Sequence, residues 1–181
     1  MVLTAVGVFL GYLIAVTYDR RKTERIFKEG YTRAMNALVS SLKTNSDYIN
    51  QMFTVEFPRN CYPTYPLDTV ALSFINFDAR PYLPTNTTWP ERFNKLRFEM
   101  DHINRRLLMD YLGGKAVNTA LIQKTYADYL VGNTIDQTYL ATHAHSLSGV
   151  VGLLLGTKTA LDGLIQELER FGYKGEVVKP Y

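Results

Sequence analysis

Apolar residues fall along this chain in three patterns, and each predicts a different kind of element. The first is continuous. Val2 to Tyr18 reads VLTAVGVFLGYLIAVTY without a single charge. As a helix its 17 residues rise about 26 Å, close to the hydrocarbon thickness of a bilayer. The second pattern is helical periodicity. Ile26, Met35, Leu38, Leu42 and Ile49 recur at helical spacings between Asp19 and about Asn50, a stretch free of proline and weakened only by Gly30. The helix from the first stretch is therefore expected to run on into the domain without a break, its exposed face supported by ion-pair spacings such as Glu24 to Lys28.

The third pattern is interruption. Six of the seven prolines (Pro58, Pro63, Pro66, Pro81, Pro84, Pro90) lie between Phe57 and Pro90. Each removes a backbone donor and blocks helix continuation, so this region reads as a wrapped connector. Its apolar content, including Phe53, Tyr62, Tyr65 and Trp89, argues for packing rather than disorder. One short helix fits inside it, on Leu67, Val70, Ala71, Phe74 and Ile75 after Pro66.

Periodicity then resumes. Thr88-Trp89-Pro90-Glu91 has the form of a capping box with proline in the first turn. Phe93, Leu96, Met100, Ile103, Leu107 and Tyr111 mark the buried stripe of the helix it opens, which Gly113-Gly114 ends. A further helix is expected from about Ala116 to Val131, with Val117, Leu121, Ile122 and Tyr129 among its apolar positions. The last opens at Thr134-Ile135-Asp136-Gln137 and ends at Gly172, with a wide apolar face from Leu147 to Leu168. Within it, Leu147–Gly156 (LSGVVGLLLG) reaches only about 15 Å, half a bilayer, so it reads as a buried core helix. Gly149, Gly152 and Gly156 there suggest a closely approaching neighbour. No strand pattern or internal repeat is visible.

The fold class is thus all-α: an N-terminal transmembrane helix continuing into a bundle of about four long helices plus one short one. The expected divisions are an anchor at 1–18, a juxtamembrane helix at 19–52, the packed connector at 53–90, the bundle core at 91–172 and an extended tail at 173–181.

Charge sharpens the reading of the first stretch. Nothing basic precedes Val2, whereas Arg20, Arg21, Lys22, Arg25 and Lys28 follow it, and no A-x-A site appears near residue 20. That is the flank of an uncleaved anchor, not of a signal peptide. Basic residues next to the span place it by the positive-inside rule: the short N-terminus outside, residues 19–181 cytoplasmic. Arg20, Arg21, Lys22 and Arg25 would meet anionic lipid headgroups. Asn86-Thr87-Thr88 matches a glycosylation acceptor, but in this topology it never meets the machinery. Gly7 and Gly11 form a G-x-x-x-G pair, a face through which the anchor would self-associate or meet a partner membrane protein. Net charge is +3, with the excess beside the membrane, so nucleic-acid binding is not indicated. The single Cys61 excludes an internal disulfide framework and a cysteine-based zinc site.

Candidate chemistry is sparse. Glu99-x-x-His102 has the spacing of a di-metal half-site, but the full site needs a second copy and two further glutamates, and none exists. His143 and His145 fall on different faces of a helix. Ser146 and Ser148 lack a G-x-S-x-G elbow. Gly113-Gly114-Lys115 lacks the spacing and preceding strand of a phosphate loop and reads as a helix end followed by a solvated lysine. Arg105-Arg106 reads as a solvated face. No cofactor, metal or catalytic residue is assigned.

Gly11-Tyr12-Leu13-Ile14-Ala15 followed by Asp19-Arg20-Arg21-Lys22-Thr23-Glu24-Arg25 resembles the start of small bacterial and archaeal single-pass membrane proteins of unknown function. These carry a "GxxxA…-DRRRxER" juncture, then a helix ending in an asparagine-containing segment like Leu42-Lys43-Thr44-Asn45. Leu83-Pro84-Thr85 to Trp89, opening a helix with Ile103-Asn104, is similar to the same group. The resemblance covers about a third of the chain. It implies a membrane juncture and helix caps, and carries no activity. The expected role is non-enzymatic: a membrane-anchored scaffold that works by interaction. The rivals are a sensory bundle with a ligand between helices, an accessory subunit of a membrane complex, and a metal enzyme around Glu99 and His102.

Overall fold

Without a proline to stop it, the first helix consumes more than a quarter of the chain. In the computed structural model, α1 runs unbroken from Val2 to Gln51. The structure describes the backbone of residues 2–73, 88–133 and 148–177, and the side chains of 15–73, 88–133 and 149–177. Four more helices follow: α2 (Val70–Ser73), α3 (Trp89–Leu112), α4 (Thr119–Leu130) and α5 (Ser148–Arg170). The described residues contain no β-strand, so the all-α reading stands.

Two halves of α1 live in different surroundings. Every side chain from Ala15 to Glu29 is exposed, and the first buried one is Tyr31. From there Met35, Leu38, Val39, Leu42, Ile49 and Met52 enter the core. Residues 15–29 therefore form a bare helical stalk about 22 Å long. Ile26, expected on the buried stripe, is 58% exposed because it lies below the level at which the bundle begins. The stalk's ion pairs are Arg20 with Glu24 (3.2 Å) and Arg25 with Glu29 (2.8 Å), not the Glu24–Lys28 pair the spacing suggests. Among the described residues no helix is long and apolar enough to cross a membrane. The side chains of residues 1–14 lie outside that description, so the expected anchor at 1–18 is taken up below as a proposal.

The helix does not stop where the connector is expected to start. Met52–Glu56 continues α1 as a π-turn, and Phe57–Arg59 as a 3-10 turn. The Phe57 N–H reaches back five residues to the Met52 carbonyl. Pro58, which has no N–H to donate, sits in the tighter turn that follows. Asn60 then leaves in the left-handed conformation (φ 58°). Its N–H bonds the Phe57 carbonyl and the Cys61 N–H bonds the Glu56 carbonyl. This double bond pattern closes orphaned helix carbonyls. Gly114, Gly132 and Gly172, all at positive φ, close α3, α4 and α5 in the same way.

α3 begins with Thr88 as its cap and Pro90 in the first turn, but the Thr88 side chain does not make the capping bond. Phe93, Leu96, Met100, Ile103 and Leu107 are buried as expected, and Trp89 joins them, whereas Tyr111 is exposed. α4 starts three residues later than expected, because Asn118 caps it by accepting from the Leu121 N–H (3.2 Å). In α5, Val150, Val151, Leu154, Leu155, Leu161, Leu164, Ile165 and Leu168 are all buried. Gly149 and Gly156 admit no close neighbour: an added Cβ at either meets nothing within 4 Å. The expected opening of this helix at Thr134–Gln137, together with His143, His145, Ser146 and Leu147, lies outside the described residues. So do Phe74 and Ile75. In the described part of α2, Leu72 is buried and Val70 is exposed.

α5 runs antiparallel to α1, pairing Lys43 with Glu169 (2.7 Å) and Ser46 with Asp162 (2.5 Å). α4 is also antiparallel to α1, as Thr119 bonds the Phe57 carbonyl and Tyr126 bonds Asn50. α3 packs on α5 through a two-bond pair between Arg92 and Glu167 (2.8 and 2.9 Å). The tail is extended but not loose. Tyr173 is buried, and the Lys174 and Glu176 N–H groups bond Asn36 and Ser40 on α1. Gly175 lies so close to α1 that a Cβ there would sit 2.3 Å from the Ser40 nitrogen.

Candidate functional site

Residues 61–69 have no regular structure, and their backbone groups must find partners elsewhere. Two asparagines supply them. Asn45 of α1 accepts from the Asp68 N–H (2.8 Å) and donates to the Asp68 carbonyl (2.8 Å). Asn104 of α3 does the same for Leu67 (2.8 and 2.9 Å). Ser41 adds a bond to the Asp68 carboxylate (2.9 Å). The segment is thereby strapped between α1 and α3.

Its earlier part is held from below. The Tyr65 N–H donates to the Tyr48 hydroxyl (2.8 Å), which reaches the Glu56 carboxylate at 3.5 Å. The Thr64 N–H also bonds Glu56. Glu56 is buried, and its Oε2 has no hydrogen-bond partner among the described residues. Desolvation pushes its carboxyl above the usual glutamate range, and pushes the Tyr48 phenol up to about 12. The Tyr62 hydroxyl lies against the Asp110 and Lys115 carbonyl oxygens at the end of α3.

Strap and helix enclose a cleft of about 650 Å³, within the range of small-molecule sites. One wall carries Tyr62, Pro63, Tyr65 and Pro66. Opposite stand Leu107, Leu108 and Tyr111 of α3, with the Tyr111 ring edge-on to Tyr62 at 5.3 Å. Among the described residues Arg105 is the one cation lining it. It has no ion-pair partner among the described residues. Its neighbour Arg106 is bound to Asp110 (3.3 Å).

The expected candidates fare unevenly. Arg20, Arg21, Lys22 and Arg25 are on the exposed stalk. Gly7 and Gly11 belong to α1, and their surroundings are outside the description. His102 is exposed and stacked on Phe98 (6.5 Å), while Glu99 faces Lys95 (3.9 Å). Among the described residues no three metal-ligating side chains come together. Lys115 is not solvated: it pairs with the buried Asp110 at 3.0 Å. Cys61 is exposed and free.

One polar cluster carries no sequence signal. Lys158 donates to Ser46 and to Asp162, each at 2.9 Å, and Ser46 donates to Asp162. A serine beside a lysine amine invites comparison with Ser–Lys hydrolases. Here the hydroxyl is buried in mid-helix and already donates to a carboxylate. The helix's own bonding leaves its backbone no N–H to stabilise an oxyanion. The cluster braces α1 against α5.

No family model matches the chain, and no curated protein or solved structure shows significant similarity to it.

Proposed function

We propose that this chain is a non-enzymatic, membrane-tethered interaction protein that displays a helical bundle at the end of a rigid stalk. The carrying observation is α1. One unbroken helix joins the apolar run Val2–Tyr18 to the bundle core, and the side chains of residues 19–29 between them are all exposed. An apolar helix terminus followed by a bare, basic, charged stretch suits a bilayer exit better than a globule's surface. In this reading residues 19–181 are cytoplasmic, Arg20, Arg21, Lys22 and Arg25 face the headgroups, and Gly7 and Gly11 form the contact between two anchors.

The lone exposed Cys61 offers a direct test. A membrane-impermeant maleimide should leave it unmodified in intact cells and modify it after permeabilisation. The protein should also stay with membranes through an alkaline carbonate wash. Release by that wash would overturn the anchor, and labelling in intact cells would overturn the orientation. Gly7→Ile with Gly11→Ile should abolish self-association in a membrane-helix dimerisation assay.

A second reading, a sensory bundle, is favoured by the tyrosine-walled cleft between the strap and α3. It requires no change in the tether.

A further inference from the structure

We infer that the strap–α3 cleft binds a small organic anion, a flat apolar or aromatic body carrying one carboxylate. This deepens the sensory reading and does not depend on the anchor.

The walls set the body of the ligand. Tyrosine and proline surfaces face leucine and tyrosine across the gap. Aromatic faces and edges favour another ring packed offset or edge-on. Two of the polar groups in the lining are spent on structure. Asn104 is committed to Leu67 through both ends of its amide, and the Tyr62 hydroxyl is committed to the end of α3. They hold the cleft open, and its lining is mainly apolar.

The charge sets the head group. Of the two adjacent arginines, Arg106 is neutralised by Asp110, and Arg105 is not paired among the described residues. Among the described residues no acidic side chain lines the cleft. A guanidinium presents a planar fork that matches a carboxylate with two parallel bonds. One cation beside an apolar slot selects one anionic group on an apolar ligand. A polyanion would find no second cation among the described lining residues.

The walls are also pre-organised. Thr64 and Tyr65 are held by Glu56 and Tyr48, Leu67 and Asp68 by Asn104 and Asn45. A ligand entering a preformed slot avoids the cost of ordering a loop.

Equilibrium dialysis of 2-naphthoate against the full-length chain in zwitterionic nanodiscs, with empty discs as the blank, tests the inference. The neutral 2-naphthamide is the companion probe. Naphthoate should bind saturably at one site per chain, about tenfold more tightly than naphthamide. Arg105→Gln, a change at an exposed side chain, should remove that tenfold preference and leave naphthamide binding unaltered. Leu108→Trp, which fills the mouth of the cleft from another exposed position, should abolish binding of both. Naphthamide binding equal to that of naphthoate in the parent chain, with Leu108→Trp still blocking both, would overturn the anion assignment and leave a ligand cleft. Absence of saturable binding by either probe, or binding that survives Leu108→Trp, would overturn the cleft itself.

Discussion

Asn45 and Asn104 grip neighbouring residues of one strap from opposite sides. Asn45 reaches across from α1 to both backbone groups of Asp68, and Asn104 reaches across from α3 to both backbone groups of Leu67. Each amide imitates the pairing a neighbouring β-strand would offer. The consequence is that an irregular segment is as tightly registered as a sheet edge, without any sheet.

Truncating either clamp should therefore cost more than an average surface change. Asn104→Ala leaves the N–H and carbonyl of the buried Leu67 unpaired, and is expected to cost about 1–3 kcal/mol in chemical denaturation. Asn45→Ala acts at the exposed Asp68, where water can replace the amide, and should cost about 1 kcal/mol. Because both act on one strap, the double variant should lose less than the sum. Strict additivity would show that the two clamps work independently.

Glu56 gives the domain a pH dependence with a definite sign. Burial raises its folded-state pKa above the unfolded value, against the hydrogen bonds from Thr64 and Tyr48. Its contribution to stability is thus fully present below the ordinary glutamate range and is lost as pH rises through the raised value. Glu56→Gln should flatten this part of the stability profile. Denaturation midpoints measured from pH 4 to pH 8 would check it, and an unchanged profile would count against a desolvated carboxyl. At the other extreme, spectrophotometric titration should show Tyr48 and Tyr31 ionising near 12.

The docked tail predicts a glycine-specific defect. In Gly175→Ala the new methyl would lie 2.3 Å from the Ser40 nitrogen and 2.7 Å from the Val39 carbonyl carbon, both backbone atoms that cannot rotate away. The tail must lift, at a cost of about 1–3 kcal/mol by analogy with overpacked cores. Hydrogen exchange at the Lys174 and Glu176 amides, which bond α1 in the native chain, should accelerate. Undiminished protection would show that the tail can shift and remain bound.

The brace at Ser46, Lys158 and Asp162 separates structure from catalysis. Ser46→Ala should cost about 1 kcal/mol, the worth of an ordinary buried hydrogen bond. An activated fluorophosphonate should fail to label the parent chain. Covalent modification of Ser46 would sink the structural assignment.

How much of this was legible in the residues depends on distance along the chain. Helix stops written by Gly114, Gly132 and Gly172 and the stripe from Phe93 to Leu107 are local signals, and the bundle follows them. α1 ends at Gln51, about where its period runs out, but the π and 3-10 turns after it are not written in that period, because Phe53 and Phe57 face the core from turns that change their hydrogen bonding around Pro58. Tyr111 obeys the period of α3 but lies at its exposed end, where its ring meets Tyr62 edge-on. The cleft, the brace and the tail contact join residues far apart in sequence, among them Tyr62 with Asp110, Ser46 with Asp162, and Lys43 with Gly175. No spacing rule reports such pairs. An unusual tyrosine count of 13 was the one compositional hint of the cleft, and it did not say where the rings would meet.

The bare length of α1 has an electrical consequence. Twelve residues, 19–30, separate the end of the apolar run from the first core residue, Tyr31, a rise of about 20 Å. The field of a charged bilayer in physiological salt decays over about 8 Å. With Val2–Tyr18 seated in lipid, the bundle's own ionisable groups sit more than two screening lengths away. A change in lipid charge would be felt by the stalk's cations alone, leaving Arg105 and Glu56 to answer only to what arrives from the water.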